Sequence, residues 1–342
     1  MIPSNMTTET QTRQVKAVGL LSGGLDSTLA AQIVKSLGIE VYAVYFAMPW
    51  GCCNKTKAIE AAMKLGIKFI SLQLDERYLE IVKNPRYGRG SALNPCVDCR
   101  IHMFSRAGQY MRHIGADFVF TGEVLGQRPM SQMRQSMRKI EEGAGLKGYL
   151  LRPLCAQLLE PTFPESQGLI DRDKLLKISG RSRKEQIQLA EGMDIDGYIQ
   201  PGGGCLLTDS NFSRRMQDTF DHGYRNFRET VALQWGRHFR INGDFKAVLG
   251  RDQQENDSLI RFAHKDDHVM QLDGCEGPTL ILKGQHPTGE ILATAAGLIQ
   301  RFSRLRSDAP RQAKYWIHGD QDHVSCVTAQ ILDDVQIEKM RI

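Results

Sequence analysis

The chain of 342 residues lacks a long apolar run: none approaches the roughly 18 consecutive apolar residues that a transmembrane helix needs. Its first 13 residues are polar, without the apolar segment of a signal peptide. We therefore expect no membrane association, a disordered tail over residues 1–14 and a cytoplasmic location. The chain also lacks internal repeats and low-complexity tracts, and its length predicts two domains with ample chain for a core.

A strong charge of either sign is also missing. The net charge of +5 permits RNA binding without indicating it. Structural disulfides are uncommon in the cytoplasm, so we expect the closely spaced members of the eight cysteines to have a function other than disulfide formation. A metal, a cluster or redox chemistry are the candidates.

The most informative stretch is Ser22-Gly23-Gly24-Leu25-Asp26-Ser27. It follows an apolar run, residues 15–21, and precedes a run with helical spacing, residues 28–37. The pattern predicts strand, glycine turn and helix, and a helix N-terminus attracts anions through its unpaired N–H groups and dipole. No Gly-Lys-Ser/Thr follows, so this is not the usual P-loop. The alternative is an ordinary glycine turn.

Short strands and helices alternate after this stretch, which predicts an α/β fold with a parallel doubly wound sheet over residues 15–210. Ligands of such sheets lie beyond the carboxyl ends of the strands, where we expect Ser22 and Phe46. Residues 211–236 are predicted to form a long helical connector. Residues 237–342 are rich in strand patterns and predict a smaller α+β domain.

Three cysteines form the second candidate site. Cys96 and Cys99 are spaced C-x-x-C at the start of a predicted helix, and Cys205 follows three glycines. Three cysteines fit an iron–sulfur cluster with one open iron better than structural zinc, which takes four protein ligands. Zinc completed by His102 or Cys155, or a disulfide or persulfide pair, are the alternatives.

The other cysteines are weaker candidates. The vicinal pair Cys52 and Cys53 is either packed or touches the nucleotide site. Cys155, Cys275 and Cys326 are predicted to be buried as small hydrophobic residues.

Three motifs carry a family resemblance. Residues 22–27 resemble the PP-loop, SGGxDS, of the N-type ATP pyrophosphatases. Residues 94–99 resemble the NPxxxC segment of MnmA-type 2-thiouridylases, with Cys205 as the downstream cysteine, and cysteine at position 96 is typical of the iron–sulfur-dependent tRNA thiolases. Residues 121–127, TGEVLGQ, followed by Ser131 and Gln132, are similar to the nucleotide-contacting segment of ThiI-type 4-thiouridine synthetases.

The resemblance implies an adenine nucleotide alpha-hydrolase-like fold and an ATP-dependent tRNA sulfurtransferase that forms AMP and pyrophosphate. Its implied cofactors are ATP, Mg²⁺ near Asp26 and a [4Fe-4S] cluster on Cys96, Cys99 and Cys205. The residues expected to act in catalysis are Asp26, Cys99 and Cys205. Those expected to contact nucleotide or target base are Ser22, Gly23, Gly24, Leu25, Asp26, Ser27, Phe46, Gly122, Glu123, Gln127, Ser131 and Gln132.

The carboxyl-terminal stretch resembles the NFACT-R RNA-binding domain, through residues 236–239, 249–256 and 277–280. The sequence contains no THUMP region and no rhodanese domain, so we expect tRNA to be held by this domain and by basic clusters, and sulfur to reside on a cluster. A dimerisation domain is the alternative reading, and a homodimer is a further expectation.

The implied reaction is uridine thiolation of tRNA, with 4-thiouridine favoured by TGEVLGQ. The expected sulfur donor is inorganic sulfide or a cysteine desulfurase. The alternatives are 2-thiouridine synthesis, a PP-loop amidating ligase and an RNA-binding adaptor with a degenerate site.

Overall fold

The computed structural model describes residues 13–48, 50–51, 54–198, 204–224, 226–304 and 309–342. Cys52, Cys53 and all but the last two residues of the expected disordered tail lie outside this set. The chain divides into two compact units. The first runs to Gly90 and resumes over Asn94–Cys205, and the second comprises Ser91–Leu93 and Leu206–Ile342.

The first unit is built on a parallel sheet with strand order β3-β2-β1-β4-β5. Its strands are β1 (Lys16–Leu20), β2 (Glu40–Ala47), β3 (Lys68–Gln73), β4 (Phe118–Phe120) and β5 (Leu150–Leu151). The chain adds β2 and β3 on one side of β1 and returns to add β4 and β5 on the other. Helices connect the parallel strands on both sides of β1, which confirms the predicted α/β class.

The helices of the first unit follow the apolar periodicity of the sequence. They are α1 (Leu25–Ser36), α2 (Lys55–Lys64), α3 (Glu76–Lys83), α4 (Cys96–His113), α5 (Arg134–Gly143), α6 (Phe163–Ser166) and α7 (Lys184–Gly192). In α1 the apolar face, including Leu29, Ile33 and Val34, is buried in the core of this unit. Asn54 and Asp75 accept hydrogen bonds from the first turns of α2 and α3, which explains where these helices begin.

Strand order fixes where a ligand of the first unit would lie. The order in which strands are added to the sheet reverses between β1 and β4, and doubly wound sheets bind ligands at the carboxyl ends of strands beside such a reversal. Residues 22–27 follow β1 and residues 121–127 follow β4, so two of the three motifs share this edge.

The second unit is an antiparallel sheet with strand order β11-β10-β8-β9-β7-β6. Its strands are β6 (Arg237–Arg240), β7 (Lys246–Leu249), β8 (His268–Leu272), β9 (Leu280–Lys283), β10 (Gln312–Ile317) and β11 (Asp320–Thr328). Its helices are α8 (Ser210–His222), α9 (Phe227–Val231), α10 (Gln253–Phe262), α11 (Gly289–Phe302) and α12 (Asp334–Met340). The apolar face of α11 packs into the core of this unit, as expected for an α+β domain.

Two expectations about this region are wrong. The predicted long helical connector over residues 211–236 is broken: α8 ends at His222, before Gly223, whose φ of +82° is incompatible with a right-handed helix, and α9 is a separate short helix. Cys326 is exposed on β11, and Cys275, in the turn after β8, is only half-buried at the edge of the core; only Cys155 is buried as predicted. Among the described residues no helix is long and apolar enough to cross a bilayer.

Candidate functional site

The loop over residues 22–27 is a tight turn closed by its own hydroxyls. Ser27 Oγ donates to the Gly24 carbonyl at 2.9 Å and lies 3.1 Å from Ser22 Oγ. Gly24 begins α1 as its N-cap and supplies no capping side chain. The first-turn N–H groups of α1 therefore have no side-chain cap, which is the arrangement that binds phosphate.

Two glycines permit close backbone packing around this loop. Gly23 has φ +78°, and a Cβ there would lie 2.6 Å from the Ala58 nitrogen in α2. A Cβ on Gly122 would lie 2.4 Å from the Asp26 carbonyl oxygen. Both positions require glycine, so the loop after β4 is packed directly against the turn that starts α1.

Among the described residues, only one of the two carboxylate oxygens of Asp26 has partners. Its Oδ2 accepts a hydrogen bond from Gln127 Nε2 at 2.7 Å and lies 3.6 Å from Arg183 Nη2. Its Oδ1 is buried and has no hydrogen-bond partner among the described residues. A buried carboxylate oxygen beside a phosphate-type turn fits Mg²⁺, a hard cation that takes oxygen ligands.

Gln186 fixes the side chain of Gln127, which in turn donates a hydrogen bond to Asp26. This fully buried side chain of α7 donates from Nε2 to Gln127 Oε1 at 3.0 Å. Because the amide oxygen of Gln127 accepts from Gln186, its amide nitrogen must face Asp26. The chain Gln186–Gln127–Asp26 fixes the carboxylate in one orientation.

More buried acceptors lie in the same unit without partners. Ser131 Oγ, Gln132 Oε1 and Gln186 Oε1 are buried and make no hydrogen bond to any described residue. Buried polar groups are rarely left unpaired. This set, which includes two predicted contact residues, is consistent with a polar ligand at this edge of the sheet.

Glu123 joins the segment after β4 to the cysteine helix. Its carboxylate accepts from Arg100 Nε at 2.8 Å and from Arg152 Nε at 3.2 Å. Arg100 follows Cys99 directly in α4. The buried Glu123 therefore anchors the segment after β4 to two arginines; Phe46, also predicted to contact nucleotide, is buried in β2.

Cys99 lies fully buried at the start of α4. Tyr78 donates its hydroxyl to the Cys99 sulfur at 3.3 Å. Burial is the main cause that raises the pKa of the Cys99 thiol to about 12, and Cys205 and Cys96 act in the same direction, so both of these cysteines lie within electrostatic range of Cys99. Cys96 donates to Asn94 Oδ1 at 3.0 Å.

The thiols of Cys96, Cys99 and Cys205 are chemically suitable ligands for an iron–sulfur cluster, but their side chains do not converge on one metal position. Among the described residues no group of three or more cysteine, histidine or carboxylate side chains is arranged to hold a metal ion. The six described cysteines form no disulfide. Cys155 instead donates to the Glu123 carbonyl at 3.3 Å, and His102 lies against the Tyr78 ring with centroids 6.1 Å apart.

Several site residues could not be found from the sequence. Tyr78 and Gln186 belong to no motif, and their role depends on which helices pack together. Arg183 stands in a basic cluster, residues 172–184, whose charge gives no indication of its partner Asp26. Arg100 was adjacent to a motif but had no predicted function.

Comparison with known families supports the reading of both units. Residues 12–158 match the sequence model of the family described as "Thiamine biosynthesis protein (ThiI)". This stretch is a ThiI-type PP-loop domain. Residues 236–340 match the "NFACT protein RNA binding domain". Cys205, Arg183 and Gln186 lie between the two matched stretches.

Curated relatives match both the ThiI-type domain and part of the second unit. The "tRNA-specific 2-thiouridylase MnmA" of Clostridium perfringens is 26% identical over 242 residues, covering 65% of this chain and 64% of the relative. The protein of the same name from Clostridioides difficile is 31% identical, covering 64% of this chain and 63% of the relative. The chain thus spans less than two thirds of the length of these two relatives.

Solved structures resemble the chain only distantly. The structure titled "U34-tRNA thiolase NcsA from Methanococcus maripaludis with its [4Fe-4S] cluster" is 17% identical with a TM-score of 0.32, covering 61% of this chain and 66% of that one. At this TM-score the likeness supports no argument about fold or function.

Proposed function

We propose that this chain is an ATP-dependent tRNA uridine thiolase, which adenylates a uracil carbonyl oxygen and replaces that oxygen with sulfur. The observation that carries the proposal is the Glu123–Arg100 hydrogen bond of 2.8 Å. It ties the segment that follows β4, beside the PP-loop, to the helix that carries Cys96 and Cys99. A phosphate-type loop and a thiol group in one rigid framework match a reaction that needs both.

The activation step is assigned to the PP-loop. The uncapped N–H groups of α1 bind the pyrophosphate that leaves, and Asp26, oriented by Gln127, holds Mg²⁺ through its unpartnered Oδ1. Arg183, 3.6 Å from Asp26, supplies positive charge where the α-phosphate becomes more negative. Catalysis here is positioning and electrostatics, as is general for phosphorus chemistry.

The sulfur step is assigned to the cysteines. A [4Fe-4S] cluster on Cys96, Cys99 and Cys205 would supply sulfide to displace AMP from the ring carbon. Tyr78 holds the Cys99 sulfur by a hydrogen bond, and Arg100 places positive charge beside it. The burial of Cys99 limits the access of water to this sulfur.

The ring position is the finer part of the proposal. The TGEVLGQ segment and the ThiI match favour 4-thiouridine. The relatives named 2-thiouridylases favour 2-thiouridine, which uses the same activation chemistry. Mass spectrometry of nucleosides from tRNA treated with the enzyme distinguishes the two products.

The second unit is proposed to hold the tRNA. Its match to an RNA-binding domain supports this assignment, and its basic residues would supply phosphate contacts. Four expectations stay predictions. They are the sulfur donor (inorganic sulfide or a cysteine desulfurase), the cytoplasmic location, the homodimer, and the domain limits 15–210 and 237–342.

The deciding experiment separates activation from sulfur transfer. Cys205→Ala should abolish thiolation while leaving tRNA-dependent release of pyrophosphate intact, and Cys326→Ala, an exposed cysteine of β11, should retain both. Unchanged thiolation by Cys205→Ala would overturn the assignment of Cys205. Release of pyrophosphate that depends on ammonia rather than sulfide would instead support an amidating ligase.

Anaerobic purification with iron and sulfide assays tests the cluster separately. The wild type should contain both, and Cys99→Ala should contain neither. A colourless protein that holds zinc would show that the thiols are a zinc site and that sulfur reaches the uracil another way.

A further inference from the structure

The second unit contains a cavity of about 400 Å³ that none of the sequence motifs assigns. The side chains that line it and matter here are Leu233, His238, Lys246, Val248 and Lys283, with Gly243 also at its wall. Gly243 is exposed and His238, Lys246 and Val248 are buried, so the cavity leads from the surface into the sheet. Its size is in the usual range of small-ligand pockets.

His238 presents an unused acceptor to this cavity. The side chain is 2% exposed, and its Nε2 lies 2.8 Å from the Trp235 carbonyl oxygen. A carbonyl can only accept, so Nε2 carries the proton and Nδ1 has a lone pair. Nδ1 has no hydrogen-bond partner among the described residues, and burial lowers the pKa of His238 well below its ordinary value, which keeps the ring neutral.

Lys283 presents an unused donor. Its Nζ lies 3.7 Å from Glu229 Oε1 and 3.8 Å from Asp267 Oδ2, so its charge is compensated, but within the described part of the chain it makes no hydrogen bond. Lys283 is close enough to His238 to lower the pKa of that ring electrostatically. His238 and Lys283 both line this cavity, so one ligand can reach both side chains.

The cations Arg240 and Lys246 of the wall are already paired. Asp218 accepts from Arg240 Nη2 at 2.7 Å and from Lys246 Nζ at 2.8 Å. A phosphate needs a surplus of positive charge, which this balanced wall does not supply. The cavity therefore offers a ligand hydrogen bonds from its unpaired polar groups and apolar contact with Leu233 and Val248.

A flat ring with a hydrogen-bonding edge fits this combination, because its faces are apolar and its edge carries adjacent donors and acceptors. We propose that the cavity takes one unpaired nucleobase, which donates an N–H to His238 Nδ1 and accepts from Lys283 Nζ. The base belongs to an RNA strand, an assignment that rests on the proposed RNA binding of this unit. A free mononucleotide carries the same chemistry, and the test separates the two sources.

The test uses the full-length protein and two pairs of variants. Lys283→Met removes the donor, and Lys314→Met removes an equal charge from exposed β10. Gly243→Leu fills the cavity mouth, and Gly289→Leu adds the same side chain at the start of α11; an added Cβ meets nothing within 4 Å at either glycine. The Gly243 pair keeps the test valid if Lys283→Met fails to fold, which thermal unfolding would show.

Fluorescence anisotropy measures binding of a single-stranded RNA ten-mer, a blunt RNA duplex and each of the four nucleoside monophosphates. Lys283→Met and Gly243→Leu should weaken binding of the single strand by about tenfold, the cost of a lost charged hydrogen bond, and leave the duplex unaffected. The two controls should change either affinity by less than about twofold.

Four other outcomes are informative. Equal weakening by Lys283→Met and Lys314→Met would show that only surface charge matters and would overturn the cavity assignment. A mononucleotide whose binding alone responds to the cavity variants would support the nucleobase site and replace RNA by a free nucleotide as its source. A wild type that binds no RNA would overturn the proposed role of the second unit, whereas RNA binding that ignores the cavity variants would overturn this inference alone.

Discussion

Glu123 accepts hydrogen bonds from Arg100 at 2.8 Å and from Arg152 at 3.2 Å, one on each carboxylate oxygen. The carboxylate is 6% exposed and the Arg152 side chain 3%. Arg152 also donates to Glu141 in α5 at 3.1 Å. One buried acid thus connects the loop after β4 to α4 and to the strand β5, and it sets the distance between the nucleotide segment and the cysteine helix.

Replacing this acid should destabilise the fold. Glu123→Gln leaves two buried guanidinium groups with less compensation, so we expect the free energy of unfolding to fall by about 3 kcal/mol. The matched control is Glu142→Gln, whose surface pairs with Arg138 and Lys147 should contribute less than about 1 kcal/mol. Urea unfolding measures both. Equal effects of the two substitutions would show that the buried network does not anchor the fold.

Gln186 should affect metal dependence through Gln127 and Asp26. In Gln186→Leu the Gln127 amide is no longer fixed, so Asp26 loses its orientation and the Mg²⁺ concentration for half-maximal pyrophosphate release should rise roughly tenfold. Gln188→Leu, on the exposed side of the same helix, is the control. The KM for tRNA should not change in either variant. A loss of rate at every Mg²⁺ concentration would point to a packing defect instead.

Much of the first unit could be predicted because its signals are local. The apolar run before Ser22 and the helical spacing after it depend on neighbouring residues only, and β1 and α1 lie where they predict. The helix break at Gly223 was missed, since a glycine within a helical pattern is tolerated as often as it ends one. Helix α10 was missed because its polar residues, beginning at Gln253, resemble a loop.

The site residues, too, could be predicted only where their signal is local in the sequence. Residues 22–27 and Cys96–Cys99 were found because a loop and a helix N-terminus place their chemistry within a few residues of sequence. Tyr78 and Gln186 reach the site from other helices, across 21 and 59 positions from their partners. Such contacts depend on tertiary packing, which hydrophobic periodicity does not specify.

Lys246 should make the stability of the protein depend on alkaline pH. Burial lowers the pKa of this ammonium from 10.5 to about 8, opposed by Asp218. Between pH 8 and 10.5 the unfolded chain therefore binds more protons at this residue, and its contribution to the free energy of unfolding rises with pH by at most about 1.4 kcal/mol per unit. This contribution is lost as the pH falls through 8. The difference in urea stability between wild type and Lys246→Met, measured from pH 7 to 10.5, should follow this slope, and a difference independent of pH would contradict it.

Cys99 should react far more slowly than an exposed cysteine once iron and other metals are removed. Its thiol is buried, and the rise of its pKa to about 12 lowers the thiolate fraction near pH 8 roughly a thousandfold relative to an ordinary cysteine. Cys326, exposed on β11, is the internal reference. Iodoacetamide labelling of chelator-treated protein, followed by peptide mass spectrometry, should modify Cys326 at least a hundred times faster than Cys99. Tyr78→Phe removes the hydrogen bond that favours the thiolate and should slow Cys99 further; labelling of Cys99 at the rate of Cys326 in the folded protein would show that the thiol is open to solvent and that water has access to the sulfur site.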